Sequence, residues 1–231
     1  MIKINNLSKS LMAGGTQVNI LKSINLHVPK GQFTAITGAS GSGKTTLLGL
    51  IAGLDLPSSG EILIDGQDIT KLNEDELAVL RGQRFGFIFQ NFNLIPTLTA
   101  LENVSLAAEL GGNAHTNGSA KELLETVGLG HRILHYPAQL SGGEQQRLSL
   151  ARAFINEPDI VLADEPTGNL DSKNGQHILE LIQELHQTRQ ATILIVTHEA
   201  HVAERTQRIL KMADGQIIED VLTDPQRNAA S

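Results

Sequence analysis

Gly38-Ala39-Ser40-Gly41-Ser42-Gly43-Lys44-Thr45 fills every position of the pattern G-x-x-x-x-G-K-[ST] and follows directly on the apolar run Thr34-Ala35-Ile36. A strand that ends in a glycine-rich turn and opens into a helix, here Thr45-Thr46-Leu47-Leu48-Gly49-Leu50-Ile51-Ala52, aims successive N–H groups at one spot. A polyphosphate can sit there, on a helix N-terminus. Lys44 then neutralises β and γ oxygens, and Thr45 offers a hydroxyl to the Mg²⁺ that bridges them. Gly38 through Thr46 are therefore the candidate nucleotide-binding residues. A glycine-rich hairpin before an ordinary helix would explain neither the Lys-Thr pair nor the alternation of small residues.

Outward from this loop, composition bounds the answer. A chain of 231 residues with 40% hydrophobic content can bury a sizeable core as one domain, expected over 1–231. It has no cysteine, which excludes disulfides and thiolate metal sites and fits a reducing compartment. Met1-Ile2-Lys3-Ile4-Asn5-Asn6 alternates like a strand and lacks the long apolar core of a secretory signal, so the chain is expected in the cytosol. The longest apolar runs, Ile160 to Ala163 and Thr192 to Val196, fall far short of the roughly 20 residues that cross a bilayer. Any membrane role needs a partner chain. A net charge of -7 argues against a general nucleic-acid face.

Residues 1 to about 85 read as strands and turns. Val18-Asn19-Ile20-Leu21 and Ile24-Asn25-Leu26-His27-Val28 alternate, Leu56-Pro57-Ser58-Ser59-Gly60 turns, and Glu61 to Gly66 is a short strand. Asn73 is placed to cap a helix through Leu80, and Phe85 to Phe89 reads as a buried strand delivering Gln90. From about Asn91 to Arg147 the pattern is helical, with Thr99 and Glu102 as a capping box for a helix reaching Leu110. Gly111 to Ser119 is the most loop-like stretch. Beyond it, Ile160 to Ala163, the helical spacing from Asn174 to Gln187 and the run Ala191 to Thr197 alternate strand and helix. An α/β fold with a parallel sheet covered on both faces is expected.

Ile160-Val161-Leu162-Ala163-Asp164-Glu165 is an apolar strand ending in two acids. With a phosphate loop upstream, Asp164 is assigned to the metal and Glu165 to polarising or deprotonating the attacking water. An acidic pair could instead cap the next helix near Pro166. Leu140-Ser141-Gly142-Gly143-Glu144-Gln145-Gln146-Arg147 also fits a simple capping box through Ser141 and Glu144. Its glycine pair, however, leaves N–H groups uncovered at a helix N-terminus that can grip a γ-phosphate.

With this string the chain resembles the ATP-binding cassette ATPases, whose signature is LSGGQ with Gln or Glu in the last place. The resemblance implies a phosphate-loop NTPase fold: a RecA-like parallel sheet core, an N-terminal antiparallel β subdomain and a helical subdomain, approximately 91–147, that carries the signature. It also implies ATP and Mg²⁺ as cofactors. Gln90 matches the glutamine that senses Mg²⁺ and the membrane partner, so Thr45, Gln90 and Asp164 are the implied metal residues. Asn169-Leu170-Asp171 matches the loop that communicates across the dimer, and His198 the histidine that contacts the γ-phosphate beside the catalytic Glu165. In the family, nucleotide lies between the phosphate loop of one copy and the signature of another. Ser141, Gly142, Gly143, Glu144 and Asp171 would then act in trans in a homodimer with two equivalent sites.

Longer strings, Gln90 to Val104 and Ala163 to Asp171, resemble the group of lipoprotein-releasing (LolD), macrolide-export (MacB) and division (FtsE) cassettes, and with Pro137 to Arg147 and the non-aromatic N-terminal segment the likeness is greatest to the YbbA-like ones. That likeness implies a permease partner with an extracytoplasmic domain, a peripheral place on the cytoplasmic face of the inner membrane, and lipids, lipoproteins or other hydrophobic compounds as cargo. The alternatives are an FtsE-like signalling ATPase and a soluble cassette acting on DNA or ribosomes. Phe92, Leu94, Ile95 and Leu98 would form the apolar socket for the permease, or else the small lobe's own core. One position departs from the family: Leu7-Ser8-Lys9-Ser10-Leu11-Met12 has no aromatic residue to stack on adenine, leaving Leu11 or Met12 to cover the base. His131 and His135 could in principle share a metal, but solvent exposure is the simpler reading.

Overall fold

The computed structural model describes residues 1–112 and 116–223. The chain runs β1 (Ile2–Ala13), β2 (Thr16–Val28), β3 (Phe33–Thr37), α1 (Lys44–Ile51), β4 (Ser59–Ile64), β5 (Gln67–Asp68), α2 (Glu74–Arg84), β6 (Phe85–Phe89), α3 (Ala100–Leu110), α4 (Thr116–Thr126) and α5 (Gly142–Phe154). It continues through β7 (Ile160–Asp164), α6 (Ser172–Arg189), β8 (Thr192–Val196), α7 (Ala200–Ala203), β9 (Arg208–Ala213) and β10 (Gln216–Leu222). Two compact units result, one of Met1–Leu77 with the segment from Thr192 onward, the other of Ala78–Ala191.

In the first unit, β2, β1, β4 and β5 form an antiparallel sheet in that order. Sequence patterning divides β2 into two runs, yet it is one strand. Ser23 at φ 50° and a register shift between the Leu7 and Lys9 pairings change which residues face inward, from Leu21 to Ile24, Leu26 and Val28. β1 does the same at Asn6, φ 47°, so that Ile2 and Ile4 are buried before it and Leu7 and Lys9 after it. Lys9 is tolerated inside because its amine donates to the Leu56 carbonyl at 2.7 Å and pairs with Asp55 at 2.6 Å. β3 lies between β8 and β9, parallel to both, and β10 pairs antiparallel with β9. β3 is flanked on both sides, and Phe33 to Ile36 and all of β8 are buried, in keeping with their continuous apolar runs.

In the second unit, β6 and β7 pair in parallel, Phe85 opposite Ile160 through Phe89 opposite Asp164. Three of its helices carry side-chain caps: Thr99 and Ser141 head full capping boxes on α3 and α5, and Asp171 caps α6. The buried faces of α5 and α6 supply Leu148, Leu150, Phe154, Ile178, Ile182 and Leu185 to the core. One segment differs from expectation. Thr116 to Ser119, read as part of a loop, form the first turn of α4, while Asn113, Ala114 and His115 lie outside the described residues. Helical tertiary packing below Ala120 and Leu124, both fully buried, overrides the weak helix propensity of Thr-Asn-Gly-Ser.

Candidate functional site

The first unit builds the phosphate cradle. β3 hands over at Gly38, whose φ of 146° and whose position, with a Cβ 2.2 Å from the Met212 carbonyl oxygen, admit no side chain. Ser42 N–H closes the turn on the Ala39 carbonyl at 3.2 Å, and Gly41 and Gly43 continue at positive φ. No side chain caps α1. A helix N-terminus without a side-chain cap is an end suited to an anion. The loop curls around the buried Lys44 amine, which donates to the carbonyls of Gly38 (2.9 Å) and Ala39 (2.8 Å). Ala39, Ser40 and Thr45 are exposed, Thr46 is half-buried and Ser42 is buried. His198 belongs to the same edge: Ile36 pairs with Val196, and Thr197 N–H donates to the Ile36 carbonyl. β8 therefore releases the exposed His198 where β3 releases the phosphate loop.

The second unit carries the acids and the signature. Because Phe89 pairs with Asp164, Gln90 and Glu165 leave neighbouring strand ends. Glu165 is held at φ 45°, a conformation that costs a non-glycine residue about 1–3 kcal/mol and that collects at functional sites. Its carboxylate and the Gln90 amide converge over Gly168, where a Cβ would lie 3.4 Å from Glu165 Oε2 and 2.9 Å from Gln90 Nε2. Asn169 ties Gln90 in place, donating to the Gln90 carbonyl (3.0 Å) and to Asn91 Oδ1 (3.1 Å) and accepting from Gln90 Nε2 at 3.4 Å. At the start of α5, Ser141 Oγ accepts from Glu144 N–H and Glu144 Oε2 accepts from Ser141 N–H at 2.8 Å. The capping-box reading of this string is thus correct, and it leaves the N–H groups of Gly142 and Gly143 outside the box. The Ser141 N–H holds the Glu144 carboxyl below its ordinary range. Asp171 is likewise held low, by the N–H and the side-chain amide of Asn174.

Four supporting residues escaped the sequence reading. Buried Gln146, on α5, donates to the Pro166 carbonyl at 2.6 Å, next to Glu165. Arg152 donates to the carbonyls of Phe92 (2.8 Å) and Asn93, which sit at φ 59° and 49°, and burial pushes its guanidinium below its usual value. Asn103, 1% exposed, binds Ile95 through both N–H and carbonyl and also reaches the carbonyls of Leu98 and Thr99. Asn174 is the fourth. No motif signals them, because a polar residue on an amphipathic helix looks the same whether it meets solvent or a loop carbonyl.

Held by Arg152 and Asn103, Phe92, Leu94 and Leu98 are half-buried and Ile95 is 37% exposed, so none of the four is a core residue. Leu11 and Met12, adjacent on β1 and so on opposite faces, are 50% and 72% exposed. His131 is exposed and His135 half-buried, with Arg132 Nη1 3.0 Å from His135 Nε2. Among the described residues no three of His, Cys, Asp and Glu cluster as ligands, and no helix is long and apolar enough to cross a membrane.

A family model described as "ABC transporter" matches residues 21–168. The chain is 47% identical over 222 residues to the uncharacterized ABC transporter ATP-binding protein YbbA of Escherichia coli K12, covering 95% of this chain and 97% of that one. It is also 47% identical over 222 residues to the macrolide export ATP-binding/permease protein MacB of Brucella abortus, 95% of this chain but 34% of that protein. The chain thus spans about a third of the length of the curated MacB relatives it matches. Among solved structures, the dimeric ABC transporter cassette MJ0796 superposes with a TM-score of 0.90 at 41% identity, over 97% of this chain and 99% of that one. A post-hydrolysis dimer of MJ0796 bound to ADP and Pi superposes with a TM-score of 0.90 at 40% identity.

Proposed function

The chain belongs to the ATP-binding cassette (ABC) transporter family as an ATP-hydrolysing cassette, and on that premise we propose that two copies sandwich two ATP molecules and power a membrane permease. The observation that carries the proposal is the cradle itself: an uncapped helix N-terminus behind a loop wrapped around the Lys44 amine, the arrangement a triphosphate needs. In this reading Gly38 to Thr46 hold the phosphates of one copy, while Ser141, Gly142, Gly143 and Glu144 of the second copy present a helix N-terminus to the γ-phosphate. Glu165 takes a proton from the attacking water, its strained backbone fixing where the carboxylate points. His198 hydrogen-bonds the γ-phosphate, and Asp171 acts across the dimer.

The donor set also suits Mg²⁺, a hard cation that takes few protein oxygens and shares the rest with phosphates and water. The exposed Thr45 hydroxyl, Asp164 at the end of β7 and the Gln90 side-chain oxygen would hold it. When bound, it would supply neutralising charge for the triphosphate.

The partner is read as a permease with an extracytoplasmic domain, engaged from the cytoplasmic face of the inner membrane, with a hydrophobic compound, lipid or lipoprotein as cargo. What supports this is a loop whose backbone is pinned by Asn103 and Arg152 while Phe92, Leu94, Ile95 and Leu98 remain uncovered in part. Affinity purification from mildly solubilised membranes should recover a multi-spanning partner. Ile95→Asp leaves both backbone bonds to Asn103 intact, so recovery should fall about tenfold, the loss of one apolar anchor, with nucleotide binding unchanged. Recovery only from cytosol, on ribosomes or DNA, overturns the permease reading.

Leu11 is the better-packed of the two residues proposed to cover the base. Leu11→Tyr should tighten ATP binding by about 0.5–1.5 kcal/mol through ring stacking. Direct titration of both proteins measures it, and equal affinities would mean that the adenine is held elsewhere.

A further inference from the structure

The Asp171 carboxylate is gripped twice by one residue. Asn174 N–H donates to Oδ1 at 3.0 Å, and Asn174 Nδ2 donates to Oδ2 at 2.6 Å. Only the first bond belongs to a helix cap, and any residue but proline at position 174 would make it. The second depends on the amide. That same amide lies against the first turn of α5: a Cβ built on Gly143 would stand 2.7 Å from Asn174 Oδ1 and 2.9 Å from its Cγ. Gly142, by contrast, would meet only Leu170 and Phe92 at ordinary contact distances of 3.6 and 3.9 Å. A side chain at 143 would therefore displace the Asn174 amide, a neighbour in its own chain.

We propose that Asn174 is a positioning residue for hydrolysis, whose amide fixes the Asp171 carboxylate in register with the signature turn of α5. Asp171 and the Ser141 to Glu144 turn then move as one piece. Any shift of α5 toward a γ-phosphate carries Asp171 with it, and a displaced Asp171 pulls the signature out of line. This rests on the reading above, in which both act at nucleotide held by a second copy. The carboxylate is held below its ordinary range by these bonds, so it stays charged, and the amide donor is matched to that charge.

The test uses the purified full chain and steady-state ATP hydrolysis. Asn174→Ala keeps the cap but drops the second bond, and kcat should fall about tenfold with KM for ATP within about twofold, the pattern of a lost orienting contact. Asn174→Asp is the sharper variant. It keeps the volume packed on Gly143 but sets a second carboxylate against Asp171, so kcat should fall at least as far as in Asn174→Ala. A role limited to filling space predicts the reverse order. In an Asp171→Ala background, Asn174→Ala should cost less than about twofold more, since the two act as one unit. If Asn174→Ala fails to fold by circular dichroism, Asn174→Asp carries the comparison. Wild-type kcat in Asn174→Asp, or independent multiplying losses, would overturn the proposal while leaving an impaired Asp171→Ala to support the dimer reading. A fully active Asp171→Ala would overturn both.

Discussion

Replacing Glu165 with Gln will leave ATP binding intact and lower hydrolysis by about 10²–10⁴-fold, the range assigned to a positioned general base. The amide has the same shape, so the φ of 45° and the approach of the side chain to Gly168 are retained; what is lost is an oxygen that can take a proton. With chemistry blocked and binding preserved, the ATP-bound dimer should accumulate and elute at twice the monomer mass in size-exclusion chromatography with ATP and Mg²⁺. A Glu165→Gln protein that hydrolyses at the wild-type rate would remove Glu165 from the catalytic role.

How much of this was open to reading before the fold was known depends on whether a signal is local. The phosphate loop was, because its glycines are demanded by backbone geometry within the same few residues: Gly38 at φ 146° against Met212 is a steric necessity written into one position. The buried strands β3, β7 and β8 were legible for a similar reason, each being an apolar run of five residues or fewer between turns. Capping boxes at Thr99 and Ser141 are also local, and both formed as read. The bulges at Asn6 and Ser23 were not legible, since each inverts the inward face through pairing with a distant strand. Nor was the start of α4 inside a Gly-Asn-Ser-rich stretch, where packing on Ala120 and Leu124 outweighs composition.

The site divides in the same way. The residues proposed to meet the nucleotide sit in short strings that announce themselves, and Gln90, Glu165, Ser141 and His198 come to strand or helix ends as those strings imply. The residues that hold those ends do not. Arg152 reaches back 60 positions to the Phe92 carbonyl, and Asn169 reaches 79 positions to Gln90. Their partners are backbone carbonyls, which every residue has, so nothing in the sequence of the partner marks the contact.

Lys44→Ala should abolish high-affinity nucleotide binding, because the cation that the loop wraps is gone, whereas Ser141→Arg should bind nucleotide as a monomer and fail to turn over. Each homodimer has two defective sites. A mixed dimer is different: one of its sites combines both defects, and the other combines the intact phosphate loop of the Ser141→Arg copy with the intact signature of the Lys44→Ala copy. Composite sites between two copies are the central claim, and hydrolysis by an equimolar mixture of the two inactive variants tests it most directly. If the sites are shared between copies and turn over independently, random pairing restores about a quarter of the wild-type rate per chain. A mixture no more active than either variant alone would contradict the account.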